Sequence, residues 1–304
     1  MQDRPRVWLF GVLLALPVAG LVLLLAVPGI DVMWEHHPSH FLLVLSVALI
    51  NVALALITSE AAHEHADARL FLVSLALITS SGFLALHALA TPNVLLDHPN
   101  SGFAIATPIG LLLASGFAAG SAVELSRADA ARILRRRTLI RGALALLLIA
   151  WAVGSLSGVP FLDRPLDEEA PIAFRLLAPV GIGLYAFAAW RYLRIFRVRR
   201  RALPLSVAVA FVLLAEALIA VAFARSWHVS WWEWHVLMAV AFAIVTISVR
   251  GVPARGFDHR RLRRALPRAD ARTHRPALVG RDRTTDAGGP IPRVARPRPR
   301  AAPP

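Results

Sequence analysis

The sequence contains no cysteine and no lysine. The first absence excludes disulfides, thiolate metal sites and thiol catalysis, so a metal would have to be held by His, Asp, Glu or Met. The second leaves arginine at all 33 basic positions, which reads as a composition bias rather than a mechanism. Charge is also scarce through most of the chain. Residues 250–304 hold 15 of the arginines against four aspartates, so most of the formal +14 sits there and the remainder is close to neutral. No internal repeat is legible, and no soluble catalytic domain.

What is abundant is apolar sequence, at 57% of residues, too much for one soluble domain. Runs of membrane-spanning length fall near 7–29, 40–59, 70–90, 103–124, 139–159, 171–190, 204–224 and 232–249. They predict an all-α polytopic membrane bundle of about eight transmembrane helices over residues 1–250. The first run is too long for a signal-peptide core and is expected to be retained. Residues 251–304, rich in Arg and Pro without apolar periodicity, predict a disordered basic tail. Beside a membrane such a tail suits anionic lipid better than nucleic acid.

Arginine in short loops sets the expected orientation. Arg4 with Arg6, the segment Arg127 to Arg141, the segment Arg191 to Arg201 and the tail fall on one side of an eight-span bundle. The protein is therefore expected in the plasma membrane with both termini cytoplasmic. The alternate loops, with Asp31, Glu35, Asp97, Asp163 to Glu169 and Glu233, are expected outside.

Seven of the eleven histidines then share the outer surface: His36, His37, His40, His87, His98, His228 and His235. Imidazole is a common ligand of zinc, copper and iron, and carboxylates at the same level complete such shells. The candidate metal set is His87, His235, His228, His36, His37, His40 and Glu233, for a transition metal (copper, zinc or iron) or haem. His87 is the most telling of these, because an ionisable group in apolar surroundings is expected to face the bundle with a partner. Pro38 argues for a loop through His36 to His40. If the last helix starts near His228, that residue and His235 share a face at i, i+7. The competing reading is an interfacial aromatic belt of Trp34, Trp227, Trp231, Trp232 and Trp234, with histidines as spectators. His63 and Asp67, at the other side, read as a solvated helical turn, and Glu216 and Asn51 as interhelical hydrogen bonders.

The runs from His63 to Leu75, Gly82 to Pro92, Gly102 to Gly110 and Trp231 to Met238 resemble multi-helix membrane input regions that precede cyclase or histidine kinase domains in bacterial signalling proteins. The resemblance covers about residues 30–249. It implies a non-enzymatic sensor; since only the basic tail follows, either it works through a cytoplasmic signalling partner or the output domain has been lost. The outer histidines also resemble those of eight-helix copper-resistance permeases, which makes copper handling, or haem-based electron transfer, the alternative. A transporter with broken helices and midplane charges fits less well.

Overall fold

The computed structural model describes residues 4–91, 93–96, 100–159, 162 and 169–250. Asp97, His98, the acidic residues 163–168 and the tail 251–304 lie outside the described residues. Among the described residues the regular structure is helical: α1 (Arg4–Ala26), α2 (His37–Glu64), α3 (Ala68–Ala88), α4 (Ser101–Ala104), α5 (Ala106–Ala122), α6 (Arg127–Arg135), α7 (Arg137–Leu156), α8 (Glu169–Arg199), α9 (Ala202–Phe223) and α10 (Val229–Arg250). Each of the eight apolar runs falls in this set, and α4 and α6 are short additions.

Five of the helices, in α2, α3, α7, α8 and α9, are long and apolar enough to cross a membrane. The apolar parts of three others are shorter: Leu14–Ala26, Ala106–Ala122 and Val229–Val245. The outer faces of the longer helices carry bare hydrocarbon, such as Leu146 of α7 at 67% and Leu176 of α8 at 74% exposure, which suits lipid and not water.

Local chemistry sets the boundaries. Asp67 caps α3, its Oδ1 accepting from the amides of Arg69 and Leu70 at 2.9 and 3.1 Å. Ser126 caps α6 by accepting from the Asp129 amide at 3.1 Å. Between α2 and α3 the chain turns at Ala66, whose φ of 49° is left-handed. The expected helical turn through His63 and Asp67 is thus broken: His63 ends α2, where its Nδ1 accepts from Arg137 Nη1 at 2.6 Å, and Asp67 starts the next helix.

Burial separates the centre from the rim. In α3 and α9, 72% of the most apolar stretch is buried, against 11% in α7. Helices α3 and α5 pack tightly through Gly110, where an added Cβ would stand 2.3 Å from Phe83 Cβ. Small residues at such crossings let backbones approach and gain dispersion contact where lipid supplies no hydrophobic drive. Helix α8 joins the centre through Tyr185, whose hydroxyl donates to the Leu111 carbonyl at 3.0 Å. Glu216 and Asn51 depart from expectation. Both are buried, yet Glu216 Oε2 and Asn51 Nδ2 have no hydrogen-bond partner among the described residues.

Candidate metal centre

Three helix ends meet at one end of the bundle. Helix α2 starts at His37 and carries Pro38 in its first turn, where the missing N–H is one that a helix leaves unpaired anyway. The expectation of a loop through His36 to His40 is therefore corrected: His40 stands in the first turn of a helix, 2% exposed. His87 lies in the last turn of α3 and His235 near the start of α10, at 8% and 4% exposure. One ring nitrogen from each of the three lies within 4.8 Å of the others. Ring centroids are 5.1 Å apart for His40 and His235, 5.5 Å for His40 and His87, and 6.2 Å for His87 and His235.

Each imidazole has its Nδ1 tied down. Nδ1 of His87 donates to the carbonyls of Phe103 and Ala104, at 3.3 and 3.1 Å, where the short helix α4 ends. Nδ1 of His235 donates to the Trp231 carbonyl at 3.3 Å. Nδ1 of His40 meets Thr91 Oγ1 at 2.8 Å, and the Thr91 hydroxyl gives its own proton to the Ala88 carbonyl, so the imidazole is the donor. Carbonyls and hydroxyls in this role fix tautomer and ring orientation and raise the basicity of the other nitrogen.

The consequence lies at Nε2. With Nδ1 protonated, Nε2 of a neutral imidazole is an acceptor. Nε2 of His40 and Nε2 of His235 stand 3.1 Å apart, and Nε2 of His87 is buried with no hydrogen-bond partner among the described residues. Two facing lone pairs repel unless a cation lies between them. Metal–nitrogen bonds of about 2.0–2.1 Å in tetrahedral array place neighbouring nitrogens about 3.3 Å apart, close to this separation. Three imidazoles leave a fourth position for another ligand.

Tryptophans wall the site. Trp234 stacks on His235 with centroids 3.5 Å apart, and Trp231 lies 4.5 Å from His235 and 4.8 Å from His40. Trp227 covers the outer side, 5.3 Å from His40 and 5.0 Å from His37. Its φ of 64° is left-handed, an uncommon state for a bulky residue that surrounding contacts must hold. A clasp does so: Trp34 N donates to the Trp227 carbonyl at 2.7 Å, Val229 N to Val32 O at 3.1 Å, and Met33 pairs with His228 in an antiparallel bridge. Asp31, 3% exposed, accepts from both the amide and the hydroxyl of Ser230 at 2.9 Å, placing a carboxylate on the N-terminal turn of α10.

The other sequence candidates stand apart. Nδ1 of His36 caps α2 by accepting from Ser39 N at 3.2 Å, and Nε2 of His37 pairs with Glu35 Oε1 at 2.8 Å. His228 precedes α10, its Nδ1 donating to the Ser226 carbonyl at 2.9 Å, so it does not share a helical face with His235. The left-handed Trp227 turns the chain just before it. Glu233 faces away, with Oε1 4.0 Å from where a Cβ on Gly20 would lie. Sequence reasoning missed the Thr91 hydroxyl, the carbonyls of Phe103 and Ala104, and Asp31 as a helix cap. None carries a pattern, since their roles arise only when distant segments meet. No protein-family model matches the chain, and neither does any curated protein or solved structure.

Proposed function

We propose that this chain is an integral membrane protein that binds one transition-metal ion through His40, His87 and His235 and serves as a non-enzymatic, metal-responsive input module. One observation carries the reading: two Nε2 atoms 3.1 Å apart, whose imidazoles each have Nδ1 already committed as a donor. An ion fits better than haem. A porphyrin needs an open slab beside its axial imidazole, whereas these rings are packed against one another and against Trp227, Trp231 and Trp234. All-imidazole ligation suits zinc, copper or iron.

In this reading all eight apolar helices cross the plasma membrane, with the histidine end outside and both termini in the cytoplasm, as the arginine asymmetry supports. The basic tail meets anionic lipid, and a cytoplasmic partner takes the signal. A second reading, copper handling, is favoured by Met33 at the rim. Its backbone bridges to His228 in the clasp, its side chain is 57% exposed, and a thioether suits Cu(I).

Metal analysis and a visible spectrum of the purified protein test the proposal. The expected result is one ion per chain, lost in each of His40→Ala, His87→Ala and His235→Ala and kept in His63→Ala. A haem absorption band, or metal content unchanged by all three substitutions, would overturn it. Metal uptake into vesicles holding the protein would shift the role from sensing to copper handling.

A further inference from the structure

Away from the histidines, at the arginine end of the bundle, α7 stands off from α5 and leaves a groove of about 800 Å³. Leu113, Gly116 and Phe117 of α5 form one wall, and Ala143 and Leu147 of α7 the other. Arg132 and Arg136 lie at its mouth. Arg132 shares an exposed carboxylate with Asp129 at 2.9 Å, and Arg136 makes no ion pair among the described residues. Acids nearby are few: Glu124 is already engaged by Arg191 at 3.0 Å.

The depth is informative. From Arg136 to Leu147 along the helix is about 16 Å at 1.5 Å per residue. One leaflet of hydrocarbon is about 15 Å, half of a core of about 30 Å. The groove is thus basic at the level of headgroups and apolar for the length of one leaflet. Its walls offer water almost no hydrogen bonds, and an empty gap would forfeit dispersion contact on both sides. An occupant has to be anionic at one end and hydrocarbon along the rest.

We propose that the groove between α5 and α7 holds an anionic phospholipid, its phosphate on Arg132 and Arg136 and an acyl chain along Gly116, Ala143 and Leu147. Basic pockets between membrane helices are suited to such headgroups. The inference rests on the membrane placement and not on the metal site. The lipid acts as packing for α7, the least buried of the five helices long enough to span.

Gly116 supplies the decisive variant. A Cβ there meets nothing within 4 Å, so Gly116→Leu enters open space and fills the groove without pressing on the bundle. The full-length chain is placed in nanodiscs of equal phosphatidylglycerol and phosphatidylcholine, re-extracted in mild detergent and examined by native mass spectrometry. The parent is expected to retain one phosphatidylglycerol. The double variant Arg132→Ala, Arg136→Ala should lower its preference over phosphatidylcholine roughly thirtyfold, at about fivefold per arginine. Gly116→Leu should lose both lipids. Monodisperse elution and helical content in detergent serve as the folding control and should stay at the parental value, so the outcome does not depend on whether a metal binds. Equal retention of the two lipids by the parent would overturn the proposal. So would undiminished retention by Gly116→Leu, or a cross-link through Ala143→Cys showing a second copy in the groove.

Discussion

Asp31 caps the helix that carries His235. Its two carboxylate oxygens accept from the amide and hydroxyl of Ser230, both at 2.9 Å, across 199 residues of chain. A buried carboxylate at a helix N-terminus satisfies orphan amides and opposes the positive end of the helix dipole. Hydrogen bonds to a charged group contribute about 1.5–3 kcal/mol. Asp31→Ala is expected to cost about that much stability, read as a lowered melting temperature in detergent, and to loosen metal binding by misplacing His235. An unchanged melting temperature would mean that the cap contributes nothing.

Thr91 is expected to act through His40. Removing an outer partner of a ligating histidine typically costs 10–100-fold in metal affinity. Thr91→Val should weaken binding within about that range. Thr107→Val, at a buried hydroxyl with no hydrogen-bond partner among the described residues, should leave affinity at the parental value and provides the control. Competition titration with a chelator measures both. Equal affinities for the two variants would show that the Thr91 hydroxyl does not tune His40 as a ligand.

Trp227 governs access more than affinity. Its left-handed backbone stores about 1–3 kcal/mol, repaid by the clasp and by ring contacts with His37 and His40. Trp227→Ala should speed metal release into excess chelator at least about tenfold and speed entry with it, because opening a wall lowers one barrier that is crossed in both directions. The equilibrium constant should move less. Release at the parental rate would remove the tryptophan from the exit route.

Tight packing between α3 and α5 makes Gly110 intolerant. Gly110→Ala would drive a Cβ to within 2.3 Å of Phe83 Cβ, and overpacking of this kind costs about 1–3 kcal/mol. Thermal unfolding checks it. Gly142→Ala, at a helical glycine whose Cβ would meet nothing within 4 Å, should be neutral or slightly stabilising.

Topology is testable because the chain has no cysteine of its own. Trp34→Cys, on the histidine end, should react with an impermeant thiol reagent added outside intact cells. Arg197→Cys should react only after permeabilisation. The reverse pattern would invert the bundle and move the site to the cytoplasm.

The helical architecture and the three converging histidines, among seven candidate residues, were legible from hydropathy and depth alone. His87 and His235 stood out because buried imidazoles in apolar sequence need partners. His40 belonged to the same candidate set but was placed on a loop by Pro38, which signals one when taken alone yet is well tolerated in the first turn of a helix. Glu233 was grouped with His235 by proximity in sequence. Two residues along a helix turn through about 200°, so one side chain faces α1 and the other faces His40. The run at 103–124 shows the limit of run length: the chain divides it between the short α4 and a 17-residue α5. Thr91 and the carbonyls of Phe103 and Ala104 had no signal because they matter only through distances set by other helices.

The order of the ligands along the chain has a consequence for biogenesis. His40 and His87 are made and folded into the first hairpin long before His235 exists. At synthesis rates of about 5–20 residues per second, the 148 positions from His87 to His235 take roughly 7–30 s. During that interval two imidazoles alone face the incomplete site, and a two-coordinate grip releases an ion far more readily than a three-coordinate one. On the proposed metal reading, an ion would be captured firmly only when α10 arrives, and a truncated or stalled chain would not hold it. Bound metal then marks chains whose last helix has docked against the first.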